Sequence, residues 1–158
     1  MNLIQALLRG QGAHADPLGC LEDLTAEQAG RRVAGFAHTI WQQVAHLTYW
    51  MDVELRSVED PSTPVPTDWS LSWPKEDAPA DEVAWRHEVA LFRTHLDQLG
   101  TLAGARASTL ARIAHVGTEQ TVETALWMLV AHNSYHTGQI VQLRQAMGAW
   151  PPGGSITG

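Results

Sequence analysis

At 158 residues, 44% of them apolar and 17% charged, the chain is long enough for one ordinary hydrophobic core, and no apolar run in it approaches the ~20 residues of a membrane span. A net charge of -7, from 17 acidic and 10 basic residues, argues against a nucleic-acid partner, which demands a basic footprint. Cys20 is the single cysteine, so there is no disulfide within the chain and no thiolate cluster, and any metal must be held by nitrogen and oxygen. Met1 to Gly12 has no basic stretch followed by a long apolar core, which predicts no secretion signal and a cytoplasmic location.

Residues 2–9 read as a short helix stopped by Gly10 and Gly12. Asp16-Pro17 has the form of an N-cap with proline at the first helical position, and Thr25 to Gln28 that of a capping box. These pieces predict a lead-in layer rather than a domain of their own. A long second helix follows over about 38–59 and ends before Pro61, with Ile40, Val44, Leu47, Met51, Leu55 and Val58 as its apolar face. His46 lies on a flank of that face, where a lone histidine is ordinarily a surface or rim residue.

Residues 60–80 break the helical pattern. Pro61, Pro64, Pro66, Pro74 and Pro79 force extended or turn geometry, and the loop carries Trp69 and Trp73. The two indoles either form a pocket lid or pin the loop to the helices. A third helix over about 81–102 presents Trp85, Val89, Phe92, Leu96 and Leu99, with Glu88 and His95 at its border. A short piece over 107–114 comes next, then a last helix over 122–147 capped by Thr121, and a tail from Trp150 without helix. Strand signals are weak throughout. The pattern predicts one all-α domain over 1–158: a four-helix bundle with a short N-terminal helical layer and a long Pro/Trp-containing loop between the second and third helices.

The chemistry concentrates in the last helix. Val122, Ala125, Leu129, Ile140, Leu143 and Met147 form its apolar stripe, and His132 and His136 fall within it, four residues apart on one face. Two buried imidazoles need partners. Either they form a hydrogen-bonded polar pair in the core, or one metal ion satisfies both. A zinc-protease motif would place Glu directly after the first histidine, and Asn133 stands there. There is no phosphate-binding glycine loop, no nucleophile elbow and no repeated di-iron Glu-x-x-His pair, with Glu54 and Glu123 single candidates. Cys20 has no basic neighbour in sequence and reads as a buried apolar residue.

One arrangement survives this sorting: His46 from the second helix with His132 and His136 from the fourth. Three protein ligands leave open positions, the pattern of a catalytic site, and an ion there could acidify water or polarise a thiol or carbonyl. Tyr49, Trp50, Trp127, Asn133 and Gln139 are candidates to line the pocket or support the ligands. Three imidazoles suit zinc, nickel, copper and iron alike. His14, His38, His87, His95 and His115 read mostly as surface or capping residues, with His38, at the start of the second helix, the chief exception.

Three stretches together resemble the DinB (DNA-damage-inducible) superfamily of metal-binding helical bundles: Gly12-Ala-His-Ala-Asp-Pro-Leu18, His38 to Trp50, and His132-Asn-Ser-Tyr-His-Thr-Gly-Gln-Ile140. The Trp73-Pro loop fits as well. The resemblance covers nearly the whole chain. It implies a four-helix bundle, often dimeric, with a three-histidine site for nickel or zinc that maps onto His46, His132 and His136. It further implies a small-molecule substrate and low-molecular-weight thiols such as mycothiol or bacillithiol, used by thiol-dependent S-transferases acting on electrophiles. The alternatives are a non-catalytic, stress-associated metal-binding module and a helical interaction protein with a polar core. Thr137 departs from the pattern, since relatives frequently carry Arg there, which points away from an anionic substrate.

Overall fold

The computed structural model describes residues 1–154, so the last four positions of the domain expected over 1–158 lie outside it. The helices are α1 (Leu3–Leu8), α2 (Ala26–Ala29), α3 (Ile40–Glu59), α4 (Glu82–Ala103), α5 (Ala107–Leu110) and α6 (Val122–Ala146). Among the described residues there is no strand, only an isolated bridge between Ile113 and Thr121. The expected all-α bundle is the observed fold. The long helices α3, α4 and α6 pack together, and α1, far shorter than they are, lies against α4 and α6 as the fourth member.

Each long helix begins where a side chain can accept the first exposed N–H groups. Thr39 and Gln42 form a reciprocal capping box at α3, Asp81 caps α4 by accepting from Ala84 N at 2.8 Å, and Thr121 caps α6. Helix α3 stops at Glu59 because proline at 61 disfavours helical backbone at Asp60, whose backbone is extended. The expected stripes meet in one core: Ile40, Val44, Leu47 and Met51, then Trp85, Phe92, Leu96 and Leu99, then Val122, Ala125, Leu129, Ile140 and Leu143 are all buried. Leu55, Val58, Val89 and Met147 pack against its margin, only partly covered.

Three local expectations change. The piece over 107–114 is helical only to Leu110. Asp16 does not cap a helix: its carboxylate accepts from Leu18 N and Gly19 N, leading into a 3-10 turn at Gly19–Leu21 whose N-cap is Leu18. The tail from Trp150 ends in a 3-10 turn at Pro152–Gly154, where Gly153 N donates to Asp23 at 2.6 Å. A charge on the last turn of α6 explains the last two. Arg144 is only 1% exposed, and its guanidinium donates to the carbonyls of Cys20, Glu22 and Ala149 and to the Asp23 carboxylate at 2.6–2.9 Å. A buried cation is tolerable only with this degree of pairing, and its partners tie the turn at Cys20–Asp23 and Ala149 to α6.

The loop between α3 and α4 is fastened at several points. Thr39 Oγ1 donates to Asp77 O at 2.7 Å, Gln42 Nε2 donates to Pro74 O at 3.1 Å and Glu76 O at 3.2 Å, and Arg32 pairs with Asp77. Gly30 meets the far end of the loop so closely that a Cβ there would overlap Ala78. These attachments lay residues 69–73 along the flank of α3 that carries His46.

Candidate metal centre

His46 points from α3 toward α6, and the loop covers it. Only 6% of the residue is exposed, so the surface or rim position expected for a flank histidine is not what the fold provides. The physical reason is Trp73, whose ring stacks on His46 at 3.8 Å and 9° and on His38 at 3.7 Å and 9°. Trp73 therefore pins the loop. Trp69, the other indole, is 73% exposed and touches Trp50 at 5.7 Å between ring centroids.

The three expected histidines come together. Ring centroids lie 5.0 Å apart for His46 and His132, 4.9 Å for His46 and His136, and 4.6 Å for His132 and His136. One nitrogen from each falls within 4.8 Å of the others, an arrangement that could hold a metal ion. His136 is buried, while His132 is half-buried and forms the side open to solvent.

Hydrogen bonds behind the rings fix which nitrogen faces inward. The Ser72 hydroxyl gives its proton to Trp69 O at 2.7 Å, so toward His46 Nδ1, 2.8 Å away, it can only accept. His46 thus carries its proton on Nδ1 and turns the Nε2 lone pair to the centre. Gln43 repeats the logic. Its amide nitrogen donates to Gln139 Oε1 at 2.7 Å, and its oxygen accepts from His136 Nδ1 at 2.5 Å, which leaves His136 Nε2 without a proton. His132 Nε2 stands 3.1 Å from His46 Nε2. Something positive must lie between those nitrogens, either a proton on His132 or a cation. Two imidazole donors at ~2.1 Å from a tetrahedral ion are ~3.4 Å apart, so the observed spacing suits one.

Burial disfavours the charged form of each ring. It pushes His46 down to about 3, helped by repulsion from His136 and His132, and His136 down to about 4, helped by His132. Burial also lowers His132. All three are neutral at pH 7, the state in which imidazole ligates metals. The donor set, the tautomers of His46 and His136 and the neutral charge state fit a divalent ion.

Of the supporting residues expected from sequence, Gln139 takes part in the network through Gln43, and Trp50 stands edge-on to His46 at 6.5 Å with Tyr49 beside it. Asn133 and Trp127 do not. Asn133 faces Met51 in the core, with its amide nitrogen 3.5 Å from the sulfur, and Trp127 is 40% exposed on the outer face of α6. Thr137 is also buried, at 1% exposure. Sequence reasoning missed Gln43, Ser72 and the stacking of His38. The signal available for Gln43 was its place three residues before His46, on the same side of α3; nothing local marked Ser72. His95 and His115, read with most of the remaining histidines as surface or capping residues, are buried at 8% and 3%. His115 Nε2 meets Glu54 at 3.1 Å, which also settles Glu54 as a partner of that histidine and not of the metal centre. His14 bonds Ser134 at 2.8 Å, and Cys20 is fully buried as expected, its thiol pushed up to about 11 by burial.

No helix of the described residues is long and apolar enough to cross a membrane. Comparison with curated proteins and with solved structures returned no match. A family model, that of the DinB superfamily, matches residues 11–140, a span that holds α2 to α5, the loop and all three histidines of the centre. The chain belongs to the DinB superfamily.

Proposed function

We propose that His46, His132 and His136 hold a divalent ion, nickel or zinc, and that the protein is a thiol-dependent S-transferase acting on small electrophilic molecules in the cytoplasm. The observation that carries this reading is the convergence of three neutral imidazoles, two of them with lone pairs fixed inward, and one half-open side. When bound, such an ion supplies Lewis acidity and lowers the pKa of a thiol or water that it holds. The chain's own residues do the rest. Ser72 and Gln43 fix the rings, and Trp73 shields His46 from water by stacking on it. Trp50 and Trp69 offer apolar surface beside the centre for the acceptor.

Conjugation of a model electrophile with bacillithiol, mycothiol and glutathione tests the reading. It expects turnover with at least one thiol that disappears in His136→Ala. A second reading, a non-catalytic metal-binding module, is favoured by one feature: the ligands bridge α3 and α6, so an ion there staples the bundle and contributes folding free energy. Metal binding that raises stability without thiol turnover selects that second reading.

We further propose that the protein is a homodimer joined through the outer face of α6. From Thr124 to Leu143 the sequence holds no Asp, Glu, Lys or Arg, although the helix is exposed on one side. Trp127, Met128 and Tyr135 stand 40%, 56% and 64% exposed on that side, an apolar strip that water does not favour. Sedimentation velocity of the parent and of Tyr135→Glu checks this. A dimer that the substitution dissociates is expected, and a monomeric parent contradicts it.

A further inference from the structure

We propose that Ser72 is a positioning residue for His46, and that through it the loop between α3 and α4 is a strap latched by metal binding. The inference rests on the reading of the three histidines as metal ligands. The loop reaches the centre at one covalently continuous point: Ser72, which is 3% exposed, accepts from His46 Nδ1, and its neighbour Trp73 stacks on the same ring. The Ser72 hydroxyl has one proton, already committed to Trp69 O. The hydroxyl therefore enforces one tautomer of His46, the one whose Nε2 lone pair is available.

With the loop undocked, His46 loses that acceptor and its stacking partner, and the ring is free to rotate and to carry its proton on Nε2, which blocks ligation. A docked loop thus raises affinity for the ion. Reciprocity requires that the ion favour the docked loop by the same factor. For an outer partner of a metal-bound histidine that factor is about 10 to 100.

The sequence supplies a direct readout. Lys75 is the only lysine in the chain and lies two residues beyond Trp73, between backbone carbonyls that Gln42 holds. A lysine-specific protease therefore cuts at one bond; Lys75 itself is exposed, but the backbone on either side is tied to Gln42, so the bond enters a protease's extended binding cleft faster when the strap opens. The experiment measures zinc affinity by chelator competition, and the rate of cleavage after Lys75 with and without zinc, in the parent, Ser72→Ala and Ser72→Thr. Expected is a 10- to 100-fold loss of affinity in Ser72→Ala, restored by Ser72→Thr, and protection of Lys75 by zinc in the parent that falls by the same factor in Ser72→Ala. Equal affinities and equal protection across the three overturn the proposal while leaving the metal site standing, whereas no zinc binding by the parent overturns both. A second measurement needs no variant. A long-range proton–nitrogen correlation spectrum of the metal-free parent is expected to show His46 protonated on Nδ1, and a ring protonated on Nε2 overturns the proposal whatever the variants do.

Discussion

Replacing Gln43 with Leu removes one acceptor at the back of the centre and nothing that an ion would touch. Gln43 is 3% exposed and accepts from His136 Nδ1 while donating to Gln139. Leucine fills a similar volume but leaves the Nδ1–H of His136, a residue only 6% exposed, buried and without a partner. An orphaned buried donor costs about 1–3 kcal/mol, whereas Gln139, half-buried, can turn to water. The metal-free protein is therefore expected to lose about 2 kcal/mol, read as a shift in the guanidinium midpoint by tryptophan fluorescence. His136 is also released from its ligating orientation, so zinc affinity is expected to fall about 10- to 100-fold in chelator competition. Gln43→Glu separates orientation from packing, because its carboxylate still accepts from Nδ1 and should hold the ion at least as well as the parent. A Gln43→Leu protein with parental stability and parental affinity would show that Gln43 does not hold the His136 ring.

The remaining predictions concern pH and packing. His46 titrates at about 3 and His136 at about 4 in the fold against 6.5 unfolded, so between pH 6.5 and 4 the unfolded chain binds protons that the folded rings refuse. Stability of the metal-free protein is full above pH 6.5 and falls below it by roughly 1.4 kcal/mol per pH unit for each ring; equal denaturation midpoints at pH 7 and pH 5 would contradict this. Arg144→Leu strips the donors from the carbonyls of Cys20, Glu22 and Ala149 and is expected to cost about 3 kcal/mol or more, a drop of roughly 6–12 °C in the melting temperature by calorimetry. Gly30→Ala forces the loop away from α2 at Ala78 and should speed cleavage after Lys75 without changing the helical content seen by circular dichroism.

The bundle was legible because its stripes repeat at helical period and its breaks are marked by proline, glycine and capping side chains. Thr121 and the proline at 61 place helix ends that the structure reproduces to within a residue or two. His132 and His136 were legible for the same reason, since a spacing of four on an otherwise apolar helix is a local signal. His46 was legible as a candidate third member of the cluster by elimination and by the resemblance, and its burial was not, because a loop more than twenty residues away in sequence provides it. Ser72 and Gln43 belong to the same class. Their roles depend on which proton goes where across three elements, and no periodicity encodes that. Arg144 carried no sequence signal for its burial. A basic residue in the last turn of a helix ordinarily faces solvent, but here backbone carbonyls from the N-terminal layer collect around it.

Whether His46, His132 and His136 hold a metal is decided by elemental analysis of the protein purified without a histidine tag, set beside the His46→Ala variant. About one divalent ion per chain is expected in the parent and none in the variant, since one of three proposed ligands is then missing. A parent that carries no metal, even after incubation with zinc and with nickel, would contradict this and leave the three rings as a hydrogen-bonded polar cluster.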